Sequence, residues 1–274
     1  MRRSIRSLLP ILLPIIFQLA GCKKKEPAVT KPTGCFWSSV KDDAGILTGH
    51  CIINYDKNLR PIGMAINRFP VTEVGIEYGK QGNISKINTR SDIDDKLDAE
   101  LTFSYDTQNR LTNVAEFLVS QNTPYRNVTF EYNSEGKITA IQTIFRRFRI
   151  EYLPTGNVSK VFEVNSNGKE YLVVENLRFD TNPSPYYNQV KAVKDYWLFH
   201  FANIYNTPIS YLLSPNNLLE ADWYSYSNKI SNTTNSYNFD ASNNTVTSFK
   251  HKIKFYQPAP EYELDITMNY ICNP

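Results

Sequence analysis

Hydrophobic positions along this chain alternate with polar ones far more often than they recur at helical spacing. Phe103 and Tyr105 are interleaved with Thr102 and Ser104, and Ile253 and Phe255 with Lys252 and Lys254. Near the C-terminus, Tyr262, Leu264, Ile266, Met268 and Tyr270 alternate with Glu261, Glu263, Asp265, Thr267 and Asn269. Successive side chains of a strand point to opposite faces, so a period of two describes a sheet with one apolar and one wet face. Such patterning is typical of antiparallel sheet. One window departs from it. Beyond Pro183 and Pro185, the residues Val190, Val193, Trp197 and Phe201 recur at three- and four-residue intervals and predict a helix over roughly 187–203, lying against the sheet or covering an open end. An Asn/Ser-rich stretch from about 227 to 245, with Tyr237 and Phe239 as a short strand inside it, predicts a connection between later strands.

A different pattern opens the chain. Arg2, Arg3 and Arg6 precede a nearly unbroken apolar run from Leu8 to Leu19, interrupted by Pro10, Pro14 and Gln18. Twelve or so residues are too few for a helix to cross a hydrocarbon core roughly 30 Å thick, but suit the apolar region of a secretory signal. The run ends in Leu19-Ala20-Gly21-Cys22, which resembles the signal sequence of bacterial lipoproteins. That resemblance implies cleavage before Cys22, diacylglycerol on its sulfur and an acylated amino terminus. Two or more acyl chains make such an anchor stable where one is marginal. The resemblance also bears on sorting: position 23 is lysine and not the aspartate of inner-membrane retention, which implies the outer membrane, with the periplasmic or surface face left open.

Processing changes the charge. The whole chain has 30 basic and 27 acidic residues, and residues 1–21 contain three arginines and no acid, so the mature protein is neutral. The basic precursor is therefore no argument for nucleic acid. Residues 22–34, with Lys23 to Lys25 and a Pro/Thr-containing run, read as a solvated tether. About 240 residues follow, enough for one sizeable core. The 18 tyrosines and 15 phenylalanines, set among Asn, Thr and Ser, favour strands divided by polar turns.

Those tyrosines recur every 20 to 27 residues in a shared context: Tyr55 through Pro61, Tyr78 through Ile84, Tyr105 through Leu111, Tyr132 through Ile138 and Tyr152 through Val158. Each unit is an apolar strand, a tyrosine, a short polar turn and an aliphatic residue opening a return strand. Phe162 to Lys169 is a degenerate sixth unit. The Asp or Asn after tyrosine can bond back to the backbone, and the Gly or Asn further on tolerates positive φ. One hairpin alone is marginal, so successive hairpins must pair edge to edge. The run Tyr-Asp-x-x-Asn-Arg-Leu-Thr at 105–112, with its relatives at 132–139 and 152–159, resembles the YD-type repeat of Rhs proteins. With Phe179-Asp180-Thr181-Asn182-Pro183-Ser184-Pro185-Tyr186, the chain from about 35 to 274 is similar to Bacteroidetes lipoproteins of unknown function that carry scattered hairpins of this kind. The repeats are few and uneven, so a large toxin-enclosing shell is not implied.

The expected fold is all-β: an antiparallel meander of repeated hairpins, roughly twelve to sixteen strands, forming a strongly curved sheet or incomplete barrel with one inserted helix. A single domain over 35–274 would hold hairpins at about 50–175, the helical insertion at about 187–203 and C-terminal strands at about 209–272. A transmembrane barrel is disfavoured, because most strands lack an apolar band for lipid and a lipid anchor would be redundant. Of the mature cysteines Cys35, Cys51 and Cys272, one pair can bridge in an oxidising compartment, Cys35 with Cys51 being one choice and three free thiols the alternative.

Candidate chemistry is sparse. His50, His200 and His251 lie far apart, and no metal-binding, phosphate-binding or nucleophile motif appears. Asp92, Asp94, Asp95, Asp98 and Glu100 form an acidic patch without the glycine and closing glutamate of a calcium loop, and read as a solvated loop. No catalytic residue, metal or cofactor is expected. The leading expectation is a membrane-anchored scaffold or interaction domain of the envelope, with the bilayer and an envelope protein as partners. The alternative is a glycan or peptide binder using Trp37, Trp197 and Trp223 as stacking platforms, a reading that requires exposed rings. A glycan hydrolase stands third. Tyr196, Trp197 and His200 on the predicted helix read first as core packing and second as part of a ligand groove.

Overall fold

The computed structural model describes residues 34–42, 50–67, 72–91, 97–119, 123–189, 191–204, 209–240, 245–256 and 261–273. Among them, sixteen strands follow in order. The first six are β1 (Gly34–Asp42), β2 (His50–Tyr55), β3 (Pro61–Asn67), β4 (Thr72–Tyr78), β5 (Ile84–Ser91) and β6 (Leu97–Tyr105). Next come β7 (Leu111–Leu118), β8 (Arg126–Tyr132), β9 (Ile138–Thr143), β10 (Arg147–Tyr152), β11 (Val158–Val164) and β12 (Glu170–Pro183). Two helices, α1 (Lys191–Ile204) and α2 (Ile209–Leu213), precede β13 (Asn216–Ser225), β14 (Asn228–Asp240), β15 (Thr245–Phe255) and β16 (Tyr262–Asn273). The segment expected to open the C-terminal strands at 209 is thus helical as far as Leu213, and the insertion holds two helices where one was expected.

Every strand pairs antiparallel with its neighbour in sequence, and β1 pairs with β16 from Gly34–Asn273 to Asp42–Ile266. The sheet is therefore a closed barrel, which corrects the expectation of an open curved sheet or incomplete barrel. An open meander would leave a row of unpaired N–H and C=O groups along each edge, and closure pairs the two rows with one another. The seam is compatible with the alternation in both strands: Phe36 and Val40 of β1 and Ile266 and Met268 of β16 are all buried.

That alternation runs round the whole wall. Ala99, Leu101 and Phe103 of β6, Val128 and Phe130 of β8, Phe148 and Ile150 of β10, and Val246 and Phe249 of β15 are buried. Residues of the opposite parity carry ion pairs: Lys86 with Glu100 at 2.5 Å, Arg147 with Glu131 at 3.1 Å, Arg149 with Glu170 at 2.5 Å, Lys160 with Glu175 at 3.1 Å and Lys252 with Glu263 at 2.5 Å. Exposed pairs of this kind are screened by water and contribute little to stability. Their significance is that charged residues are spread over the outer wall, whereas the inner face is mostly apolar apart from Ser231, Thr233, Asn235 and His251 on β14 and β15. The helices complete the core. Within α1, Val193, Tyr196, Trp197, Leu198, Phe199, Phe201 and Ala202 are buried, as are all five residues of α2. Trp197 stacks on Phe201 with ring centroids 5.3 Å apart.

The hairpins share one turn. In the first, the amide of Leu59 donates to the Asp56 carbonyl and that of Asp56 to the Arg60 carbonyl, while Asp56 Oδ1 accepts from the amides of Asn58 and Arg60. The same bonds form at Asp106, Asn133 and Asn165; the turns at Gly79 and Leu153 keep the two backbone bonds. The fourth turn position has positive φ every time: Leu59, Gly82, Asn109, Gly136, Gly156 and Gly168. A type I turn closed by one left-handed residue is a standard three-to-five-residue hairpin connection and forces a bulge in the adjoining pair. The register shifts accordingly at each of the five tyrosines, from Tyr55 to Tyr152.

The strand register also bears on the cysteines. Cys51 of β2 lies opposite Val40 of β1, whereas Cys35 lies five residues earlier on that strand and opposite Cys272 of β16. Five strand residues span about 17 Å, beyond the roughly 7 Å limit for bridged Cα atoms, so a Cys35–Cys51 bridge is excluded. Cys51 is a buried free thiol, and burial pushes it up to about 12.

Beneath α2 lies a buried polar network. The Asn235 amide nitrogen donates to the Tyr211 hydroxyl at 2.7 Å and to the Leu218 carbonyl at 2.8 Å, so its Oδ1 accepts from His251 Nδ1 at 2.6 Å. Burial pushes His251 down to about 4. Between the ordinary histidine value near 6.5 and 4, the unfolded chain therefore binds a proton that the folded chain does not. Stability should fall as pH falls through that window, by up to roughly 3 kcal/mol from this group. In urea unfolding followed from pH 7 to pH 4, His251→Gln is expected to flatten the decline; an unchanged slope would show that His251 does not cause it.

Candidate functional site

The tyrosines that end the outgoing strands stitch one hairpin to the next. Tyr78 donates its hydroxyl proton to the Pro61 carbonyl at 2.5 Å, Tyr132 to Leu111 at 2.8 Å and Tyr152 to Ile138 at 2.7 Å. In each case the acceptor is the first residue of the preceding hairpin's return strand. The residue just before that acceptor supplies a cation to the same ring: Arg60 over Tyr78, Arg110 over Tyr132 and Lys137 over Tyr152, at 5.2, 4.7 and 5.6 Å. Such a contact contributes about 0.5–1 kcal/mol at a partly exposed site.

The third tyrosine is satisfied differently. The second hairpin has Asn83 where its neighbours have Arg60, Arg110 and Lys137, and Asn83 bonds to the Asn109 side chain. Helix α1 supplies what that hairpin lacks. Lys191 Nζ lies 4.1 Å from the Tyr105 ring centroid, and the Tyr105 hydroxyl donates to Asp195 Oδ2 at 2.9 Å. Asp195 also accepts from Lys191, one turn earlier on the helix. Burial raises the Asp195 carboxyl above its ordinary value, with the Lys191 charge and the hydrogen bonds from Lys191 and Tyr105 acting against it. Burial also raises Tyr105, reinforced by the Asp195 charge.

Where α1 meets the turns there is a cavity of about 460 Å³, walled by Tyr132, Tyr152 and Tyr187, with Arg110, Lys137, Lys191, Lys194 and Asp195 around it. A volume of 300–1,000 Å³ is usual for small-molecule sites. Three of its cations have carboxylate partners: Arg110 with Asp106, Lys137 with Glu135 and Lys191 with Asp195. Lys194 is held otherwise. Its Nζ sits 3.7 Å from the Tyr187 ring centroid, and burial pushes it down to about 8, with the Asp195 charge pulling it back up. Among the described residues no carboxylate forms a salt bridge with it. The arrangement is an electropositive pocket with a desolvated amine, and no group of three or more His, Cys, Asp or Glu side chains among the described residues is placed to hold a metal.

The tryptophans named from the sequence lie elsewhere. Trp197 is 1% exposed inside the helix core, and Trp223 is 8% exposed on β13, its indole N–H donating to Thr233 Oγ1 at 3.0 Å. Neither ring offers a face to a ligand, because both fill the barrel interior. The backbone of Trp37 pairs with Tyr270 in the β1–β16 seam, and its side chain lies outside the described residues, as do Cys22, Asp92, Asp94 and Asp95. His200 stacks on Tyr196 at 6.0 Å within the helix packing, and His251 belongs to the network under α2. Lys191, Lys194 and Asp195 were missed by the sequence reading, which followed the apolar stripe of the helix. The available signal was Asn83, the one break in the basic series at the first four turns.

No protein-family model matches the chain, and no curated protein sequence matches it significantly. Solved structures do resemble it. A porin-like protein from Bacteroides uniformis aligns over 86% of this chain and 98% of its own with a TM-score of 0.55 at 14% identity. A porin-like protein from Bacteroides vulgatus covers the same shares at 11% identity with a TM-score of 0.38. The Tc holotoxin pore of Photorhabdus luminescens matches 79% of this chain and 13% of its own at 12% identity, with a TM-score of 0.31. The Bacteroides uniformis protein shares the fold with this chain.

The ladder makes a graded prediction. Tyr132→Phe or Tyr152→Phe removes a bond to a neutral carbonyl and should cost about 1 kcal/mol, whereas Tyr105→Phe removes a bond to a buried carboxylate and should cost about 2 kcal/mol. Urea unfolding of the three variants checks this order, and equal losses would contradict the special status of the third rung.

Proposed function

We propose that this chain is a lipid-anchored protein of the bacterial outer membrane whose barrel stands in water beside the bilayer and serves as an interaction domain. The observation that carries the reading is the direction of the barrel's polarity. A membrane-spanning barrel turns an apolar band about 25 Å tall toward lipid and keeps its interior polar, and an Arg or Lys on the lipid face costs about 2–4 kcal/mol at the midplane. Here Lys86, Glu131, Arg147, Lys160, Lys252 and Glu263 are on the outside, while leucine, isoleucine, valine and the buried residues of two helices fill most of the inside. A wall of that kind stays out of hydrocarbon, and an interior of that kind conducts neither ions nor solutes. Attachment then falls to Cys22 and its acyl chains, with residues 22–34 as the tether.

Glycan capture by the tryptophans loses its support, because Trp197 and Trp223 are buried. A ligand-binding role has a different specific observation in its favour, the electropositive cavity between α1 and the tyrosine turns.

The anchoring reading is tested by fractionating cells that express the full chain or Cys22→Ala. The native protein is expected in the membrane fraction until detergent is added, resistant to high salt. The variant is expected in the soluble fraction as a folded barrel. Retention of the variant in membranes through carbonate and salt washing would overturn the anchor.

A further inference from the structure

We propose that the cavity between α1 and the tyrosine turns binds a small oxyanion, a carboxylate- or phosphate-bearing molecule of about sugar size, with the Lys194 ammonium as its charge partner. The argument begins with an imbalance. Each of the other cations round the cavity has its own carboxylate: Asp106 for Arg110 at 2.7 Å, Glu135 for Lys137 at 2.8 Å, and Asp195 for Lys191. Lys194 leaves the pocket wall one positive charge in excess of its carboxylates, with its Nζ against the Tyr187 ring and only a share of the Asp195 charge. A desolvated ammonium that only shares a counter-charge, here Asp195 with Lys191, is under-compensated, so such a site gains by taking up an anion.

The helix adds to the same field. Lys191 and Lys194 fall in the first turn of α1, which contains no acidic residue. Cations there oppose the helix dipole, whose positive end favours anions. With Lys191 paired to Asp195, the excess positive charge at this end of the helix rests on Lys194. Size agrees as well, since about 460 Å³ suits one monosaccharide-sized ligand and not an extended polymer. The rims are built from hairpin turns held by their own hydrogen bonds, at Asp106 and Asn133, so the site is formed before any ligand arrives. Preformed geometry limits the ordering cost of binding.

Isothermal titration calorimetry on the full chain in mild detergent provides the test, with inorganic phosphate, glucuronate and glucose as probes. The native protein is expected to bind phosphate or glucuronate saturably and glucose not at all; the preferred anion identifies which oxyanion the site takes. Lys194→Met keeps the aliphatic stem on Tyr187 and removes the charge, and should weaken anion binding at least tenfold. Lys194→Arg should restore most of it, and Lys254→Met, on the exposed outer wall, should leave it unchanged. Far- and near-ultraviolet circular dichroism establishes that each variant is folded, and Lys194→Gln, which also removes the charge, carries the test if the Met variant is not. The proposal is overturned if neither anion binds the native protein at millimolar concentration, if glucose binds as well as glucuronate, or if folded Lys194→Met binds as the native chain does.

Discussion

Closure of the sheet at β1 and β16 is the constraint on which the rest of the structure depends. Strand alternation alone sorts side chains onto two faces, but an open sheet leaves both faces in contact with water near its edges. Pairing Gly34–Asp42 with the last strand removes the edges and makes one face an interior. Once the interior exists, the polarity of every other position follows. Phe148, Ile150, Val128 and Phe130 turn inward, and Arg147, Arg149, Glu131 and Glu151 turn outward into a mesh of ion pairs. A sixteen-stranded ring of membrane type encloses an aqueous channel. Here the interior takes in Trp197, Phe199, Phe201, Ile209 and Leu212 of the inserted helices.

An apolar interior needs its helices held in register with the wall, and the tyrosine ladder does this. The regular rung joins hairpin to hairpin through a hydroxyl–carbonyl bond and a cation over the ring. At the third rung, Asn83 withholds the cation, and α1 enters with Lys191 and Asp195 in the vacant roles. The interaction that docks the helix therefore also places Lys194 and the cavity. A second asparagine in the same turn position, Asn157, ties the fifth hairpin to the start of β13 through Asn216 at 3.0 and 3.1 Å. Both departures from the basic pattern occur where the wall must engage the insertion.

Much of the wall was legible from the residues. The alternation in β6, β15 and β16 and the tyrosine units described strands and turns, because a hairpin is a local object whose hydrophobic period and turn residues lie within about twenty positions. Closure was not legible, since the β1–β16 pair joins residues more than two hundred positions apart and nothing in either strand alone specifies its partner. Leu59 illustrates a smaller limit: its turn adopts the same positive φ as Gly82 and Gly136, and no side-chain rule would assign that conformation to leucine. The helix was visible as an apolar stripe, but its chemistry sits between the stripe positions, and Trp197, which drew attention, is among its most deeply buried residues. Large aromatic rings are as much core-filling as ligand-binding residues, and sequence alone does not separate the two.

The central claim is that the charged wall of this barrel faces water while the protein is attached to a membrane. Single cysteines at Thr102, Thr129 and Lys252, labelled with a membrane-impermeant charged maleimide on full-length protein reconstituted in liposomes, measure this directly against the unsubstituted background. The account predicts equal labelling of the outward-oriented protein before and after detergent at all three positions. Protection of these positions until detergent is added would mean that the wall faces lipid, and would contradict it.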